Sequence, residues 1–200
     1  MYDWRKLTDA QRESVLKARK RRRRPWHSPP HNDYREDLCF IIAAACYEHA
    51  PIIGNSPERM AECEDEVLKV CQDFGATVYA WCILPNHYHL LVRTDRIKEL
   101  LSLFGKFHGR SSYYWKKEEN KRGRKVWFNS FERDMKSHRH FMASLNYVNN
   151  NAVHHGYVTR WQDWEFSSAK LYLEQVGRDE AERIWREYPI LDYGKKWDVY

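Results

Sequence analysis

Apolar positions along this chain change period from one stretch to the next, and each change predicts an element. Residues 38–47 form a continuous apolar run bounded by charge and by Glu48-His49, which reads as a central strand. Ser56-Pro57 opens a helix, with the serine as cap and the proline in the first position. That helix runs to about Asp73, with Met60, Val67, Val70 and Cys71 on one side, and Phe74-Gly75 ends it. Residues 76–84 and 86–93 read as two adjacent strands around the break at Pro85-Asn86. From Asp95 an amphipathic pattern (Ile97, Leu100, Leu101, Phe104, Phe107, Ser111, Trp115) predicts a second helix to about Lys117. Residues 126–133 read as a short extended segment. Residues 137–151 read as a third helix with Phe141, Leu145 and Val148 as its buried stripe. Residues 1–24 have a helical composition that ends in a run of arginines and Pro25.

Strand, helix, strand, strand, helix is the order of the ferredoxin-like split βαβ architecture, an α+β fold whose antiparallel sheet carries helices on one face. Two hundred residues suit one such domain over 35–160, with a basic N-terminal arm (1–34) and a C-terminal helical tail (161–200). The same architecture serves RNA-binding modules, so fold alone does not select the function.

Charge narrows the choice. The net charge of +6 is unevenly spread: residues 1–35 carry eleven Lys/Arg against four acids, and residues 95–145 thirteen against six. Between them, residues 36–94 carry three against nine. Two basic segments around an acidic one suggest a polyanion gripped from two places, with nucleic acid the first candidate. The candidate contacts are Arg21, Arg22, Arg23 and Arg24 in the arm, Lys106, Arg110, Lys116 and Lys117 on the second helix, and Arg122, Arg124, Lys125 and Arg133 beyond it. For the arm, a solvated tail and a nuclear-import tag stand as alternatives to DNA contact; the neighbouring Trp26, His27 and His31 favour DNA. The five cysteines are odd in number and contain no C-x-x-C pair, which favours reduced core thiols over a disulfide framework or zinc site. The longest apolar run is half a membrane span and no apolar signal core opens the chain, so the expectation is a cytoplasmic protein with no membrane partner.

The chemistry centres on Leu84-Pro85-Asn86-His87-Tyr88-His89-Leu90-Leu91. On a strand, positions i and i+2 share a face, so His87 and His89 project side by side. They are either two histidines on a solvated sheet face, contributing little to folding, or paired ligands for a metal or a phosphate. Tyr147 and Asn151 are four apart and share one face of the third helix. An amide oxygen can complete a site begun by two imidazoles, and a bound cation can help a nearby phenol to ionise. A core aromatic and a C-terminal cap asparagine before Gly156 is the competing reading. His138-Arg139-His140 repeats the H-x-H spelling, but at a helix start its two rings diverge by about 200°; it reads as phosphate contact or solvated face. His154 and His155, beyond the predicted helix end, read as contacts to backbone carbonyls or phosphate.

Together these motifs resemble the single-tyrosine HUH transposases of the IS200-like superfamily, and within them the REP-associated tyrosine transposases. The resemblance covers roughly residues 35–170. It rests on the Pro85-Asn86-His87-x-His89 segment, on Tyr147-Val148-x-x-Asn151-x-Val153-x-x-Gly156-Tyr157-Val158, and on Trp164-Glu165-Phe166-Ser167-Ser168, with Pro25-Trp26-His27 as a weaker match. It implies a metal-dependent enzyme that nicks and joins single-stranded or hairpin DNA at REP-like palindromes in a bacterial cytoplasm, near the nucleoid. It further implies that His87, His89 and Asn151 hold Mg²⁺ or Mn²⁺, and that Tyr147 forms a transient 5′-phosphotyrosine. The alternative is a non-catalytic hairpin DNA- or RNA-binding protein on the same fold. Where the family usually has Asn-Pro, this chain has Asn151-Ala152, which loosens the helix end and leaves each implied ligand in place.

If the arm tracks phosphates, affinity for hairpin DNA falls with salt by roughly 0.7–0.9 log units per log unit of salt for each contact. Replacing Arg21, Arg22, Arg23 and Arg24 together by Ala should flatten that slope and leave the preferred hairpin unchanged, as measured by binding titrations across a salt series.

Overall fold

The computed structural model describes residues 38–190, together with Thr8 and Ala10. The expected N-terminal helix, Arg21, Arg22, Arg23, Arg24 and the Pro25-Trp26-His27 match lie outside the described residues. The elements are β1 (Cys39–Cys46), α1 (Pro57–Phe74), β2 (Thr77–Ile83), β3 (His87–Arg93), α2 (Ile97–Glu118), β4 (Trp127–Asp134), α3 (His138–His154), α4 (Ala169–Val176) and α5 (Arg178–Glu187). The expected extended segment at 126–133 is a full sheet strand. The third helix runs one turn further than its apolar stripe predicts, because Ala152 retains the backbone N–H that a proline would remove.

The strands form one antiparallel sheet in the order β2-β3-β1-β4. This is the split βαβ arrangement: β1 and β3 are central, and the two crossover helices α1 and α2 lie together on one face. Strand alternation explains the layering. Phe40, Ile42 and Ala44 of β1 and Tyr88, Leu90 and Val92 of β3 point into the core under α1 and α2. Ile41 and Leu91 point the other way, into a second core closed by Leu145, Tyr147 and Val148 of α3, with Tyr172 of α4 and Ala181 and Ile184 of α5. The C-terminal residues therefore complete the domain by covering its second face.

Helix ends follow their sequence signals. Ser56 caps α1 by accepting the Arg59 N–H (3.2 Å), and Gly75 takes the left-handed conformation that closes it. Ser137 caps α3 by accepting the His140 N–H (3.1 Å). At the other end of α3, Tyr157 N donates to Ala152 O and Gly156 N to Val153 O, with Gly156 at φ 74°. That six-to-one and five-to-two pair is a complete Schellman closure, so Asn151 lies inside the helix and is not its cap.

A buried ionic lock joins α1 to the end of α2. Arg59, 3% exposed, donates to the Ile52 carbonyl (3.0 Å) and to Glu119 (2.6 Å), and also pairs with Glu118. Arg124 grips the same Glu119 carboxylate with two bonds of 2.8 and 2.9 Å. The Arg124 bonds, joined by Arg59, hold the Glu119 carboxyl at about 2, well below the usual range. The lock tethers the basic loop after α2 to the domain.

All five cysteines are free and four are buried; burial pushes the Cys46 thiol up to about 11 and Cys71 to about 12. Among the described residues, no helix is long and apolar enough to cross a membrane.

On the α1/α2 side, the Tyr88 hydroxyl meets His108 Nε2 at 3.0 Å, and the His108 ring stacks on Trp127 at 4.3 Å. Burial lowers the His108 pKa to about 4, so the ring is neutral at physiological pH. The folded pKa lies below the unfolded value, so this contribution is whole above about pH 6.5 and is lost as pH falls toward about 4. Replacing His108 by Gln should therefore flatten the loss of thermal stability between pH 6.5 and 4, as followed by melting curves of both proteins.

Candidate active site

β3 begins with two histidines on the face that its core-facing residues leave behind. Tyr88 is buried under the crossover helices, so His87 and His89 must point to the α3 side. The expectation of a solvated face is corrected here: His87 is 2% and His89 0% exposed, because α3 lies across that face. Their ring centroids are 5.0 Å apart and nearly perpendicular.

Tyr147 reaches this pair from α3. Its hydroxyl is 3.4 Å from His89 Nε2, its ring lies edge-on to the imidazole at 5.2 Å, and it is 1% exposed. Two turns on, at the end of the same helix, His155 brings its ring to 4.8 Å from His87. The helix thus tracks β3 from His89 to His87. Asn151, one turn from both Tyr147 and His155, lies between these two contacts on the same helix face.

Asn151 is fully buried, and neither atom of its amide has a hydrogen-bond partner. Such a group costs about 1–3 kcal/mol unless something occupies it. Two imidazoles and, on the helix facing them, an amide oxygen with no partner are a donor set that fits a divalent cation. Among the described residues, no three His, Cys, Asp or Glu side chains gather for a metal, so a protein ligand set here depends on the amide.

Asn86 orients the first histidine. Its Nδ2 donates to the His49 carbonyl (3.2 Å), which turns its Oδ1 toward His87 Nδ1 at 2.8 Å. An amide oxygen only accepts, so Nδ1 carries the hydrogen and Nε2 keeps the lone pair that could bind a cation. His49 approaches His87 with a centroid separation of 6.4 Å. Sequence reasoning gave Asn86 no role, left His49 out, and placed His155 beyond the helix. The signal for His155 was its spacing of four from Asn151, visible only if the helix continues through Ala152.

The Trp164-x-x-Ser167-Ser168 element holds α3 against the sheet. Ile83 N donates to Phe166 O (2.9 Å) and Ser168 N to Trp81 O (3.0 Å), so this segment extends the sheet at the β2 edge. Ser168 Oγ donates to Asn149 Oδ1 (2.8 Å) of α3, which ties β2 to the tyrosine helix.

The basic candidates separate. Lys106, Arg110, Lys116 and Lys117 belong to α2, on the opposite side of the sheet from His87 and His89, and Arg110 is paired with Glu66 (2.8 Å). Arg124 is committed to Glu119. Arg122 is exposed in the loop. Lys125 lies over the Tyr47 and Phe128 rings at 4.7 and 5.1 Å, at the end of the sheet where β3 begins. Arg133 pairs with Ile41 of β1, two ladder positions along from the Ala43–His89 pair, and is exposed. His138 and His140 open α3 away from the site: His138 packs on Tyr188 (5.8 Å), and His140 Nδ1 accepts from Lys136 N (3.3 Å).

Residues 40–151 match the model of the family described as "Transposase IS200 like". A Haemophilus influenzae (strain Rd) protein named as a REP-associated tyrosine transposase is 29% identical over 125 residues, 54% of this chain and 71% of its own. The fold is similar to that in the solved "Structure of the REP associates tyrosine transposase bound to a REP hairpin", with a TM-score of 0.56 and 18% identity. That likeness covers 76% of this chain and 87% of that one.

Asn151→Leu should separate ligand binding from folding. Removing an unsatisfied amide from a buried position should leave the melting temperature in EDTA unchanged or higher. The unaltered protein should gain thermal stability when Mn²⁺ is added, and the variant should not. Melting temperatures that do not respond to Mn²⁺ in either protein would exclude the site.

Proposed function

Because the chain belongs to the IS200-like transposase family, we propose that it cleaves and rejoins single-stranded DNA beside hairpin or palindromic repeats, through Tyr147 and a divalent cation. The observation that carries this reading is the convergence of Tyr147 on His89. These residues are 58 apart in sequence, yet the hydroxyl and the imidazole nitrogen are 3.4 Å apart. Among the described tyrosines, Tyr88 is engaged with His108 on the other face and Tyr157 packs on Trp164, so neither competes for the role.

His87, His89 and Asn151 would hold Mg²⁺ or Mn²⁺, with the Asn86 amide setting the His87 tautomer. When bound, the cation polarises the scissile phosphate and stabilises the charge that develops on it. Tyr147 Oη attacks phosphorus, the bond from phosphorus to O3′ breaks, and the products are a 5′-phosphotyrosine and a free 3′-hydroxyl. The proton that the phenol loses is balanced by the one gained at O3′. Attack by the 3′-hydroxyl of another strand reverses the step and joins DNA without outside energy. Tyr147 is 1% exposed, so the ring must rotate, or the cleft between α3 and the sheet must open, for a phosphate to reach it. The structural neighbour is bound to a REP hairpin, and recognition of a hairpin by this chain belongs to the same proposal.

The burial of Tyr147 also favours a second reading, a binding protein that grips the same DNA and never cuts it. One experiment separates the two. With an oligonucleotide carrying a hairpin and a single-stranded flank, plus Mn²⁺, the unaltered protein should form a covalent adduct on a denaturing gel. Tyr147→Phe should abolish the adduct, and binding should stay within about twofold. Tight binding with no adduct from the unaltered protein would establish the second reading.

A further inference from the structure

At the end of the sheet where His87 begins β3, the chain places an apolar ring in water at a conformational cost. Phe128 is 50% exposed, while its neighbour Trp127 is buried at 7%. A register shift lies here: Ala44 pairs with Ser130 but Cys46 pairs with Trp127, so β4 carries an extra residue, and the bulge turns Phe128 outward. Beside it, Glu48 and His49 both adopt left-handed conformations, with φ of 53° and 50°. Two consecutive side-chain-bearing residues in that region are strained and persist only where neighbours enforce them. The enforcing bonds are Tyr47 N to Val126 O (2.8 Å), Cys46 N to Asn86 O (2.7 Å), and Asn86 Nδ2 to His49 O.

The strained turn faces two ways. At one end, Tyr47 meets Phe128 at 6.4 Å; at the other, the His49 ring lies 6.4 Å from His87. Lys125 Nζ sits over both aromatic rings. Its loop is tethered by Arg124 and Glu119, so the ammonium is held near the rings by a rigid anchor.

We infer that Tyr47, Phe128 and Lys125 form a stacking platform for one unpaired nucleobase of single-stranded DNA, next to the phosphate presented to Tyr147. Two aromatic faces with a cation match the chemistry of a base and its own phosphate. No purely apolar partner explains the ammonium, and no simple anion explains the half-exposed phenyl ring. The inference rests on the cleavage reading for the position of the platform, and on its own geometry for the occupant.

The probe is a hairpin oligonucleotide with 2-aminopurine at successive positions of its single-stranded flank, bound to the Tyr147→Phe protein so that no turnover intervenes. One flanking position should be quenched on binding. Phe128→Ala should relieve that quenching and weaken binding about tenfold, and Phe128→Trp should retain both. Lys125→Ala should reduce the salt slope by about one contact. An abasic site at the quenched position should weaken binding as much as Phe128→Ala does, with no further loss when the two are combined. Binding of Phe128→Ala within twofold of its parent, with quenching unchanged, would overturn the platform. The cleavage reading fails separately: the protein with Tyr147 intact would then give no adduct while the quenching persisted.

Discussion

The arrangement of the described residues depends on one strand, β3, being buried on both faces while one of those faces begins with two histidines. β3 presents Tyr88, Leu90 and Val92 to the core under α1 and α2, and His87, His89 and Leu91 to the other side. Burying two imidazoles is costly unless they find polar partners. The chain supplies those partners from α3 and the residue at its C-terminal end. Tyr147 meets His89 and His155 meets His87, with Asn151 between the two contacts along the helix. The second face is therefore a core for most of its length and a buried polar cluster at one end.

That division explains the arrangement around it. α3 must lie along β3 in one register, and the segment at 164–168 enforces this by pairing with the β2 edge while Ser168 holds Asn149. α4 and α5 fill the remainder of the second core, and Asn146 of α3 donates to the carbonyls of Ile184 and Tyr188. Rigidity is high on the far side of the sheet, where Arg59, Glu119 and Arg124 lock α1, α2 and the loop before β4. The near side retains unsatisfied amide atoms and backbone strain at Glu48 and His49. Local cost placed beside a rigid frame is the expected signature of a site built for a ligand.

Electrostatics are similarly divided. The basic residues of 95–145 read as phosphate contacts in the sequence, but several of them serve the fold. Arg110 pairs with Glu66, Arg124 with Glu119, and Lys125 rests on two aromatic rings. An exposed lysine on aromatic rings retains a charge that a phosphate can use. An arginine in a two-bond fork with a carboxylate has largely spent its own.

The elements of the domain were legible in the sequence because their signals are local. Apolar period marks the strands and helices, Ser56-Pro57 and Ser137 mark helix starts, and the alternation of β3 puts His87 and His89 on one face. The shared helix face of Tyr147 and Asn151 was legible too, through their spacing of four. What the sequence could not determine is which side of the sheet would be covered, since alternation says which residues share a face and not what packs there. Only tertiary structure turned the histidine pair from a solvated face into a buried cluster. It also carried α3 through Ala152 so that His155 reached His87, and gave Asn86 the task of orienting His87. Those outcomes rest on contacts between segments far apart in the chain, whose free energy exists only once the sheet and the helix are both in place.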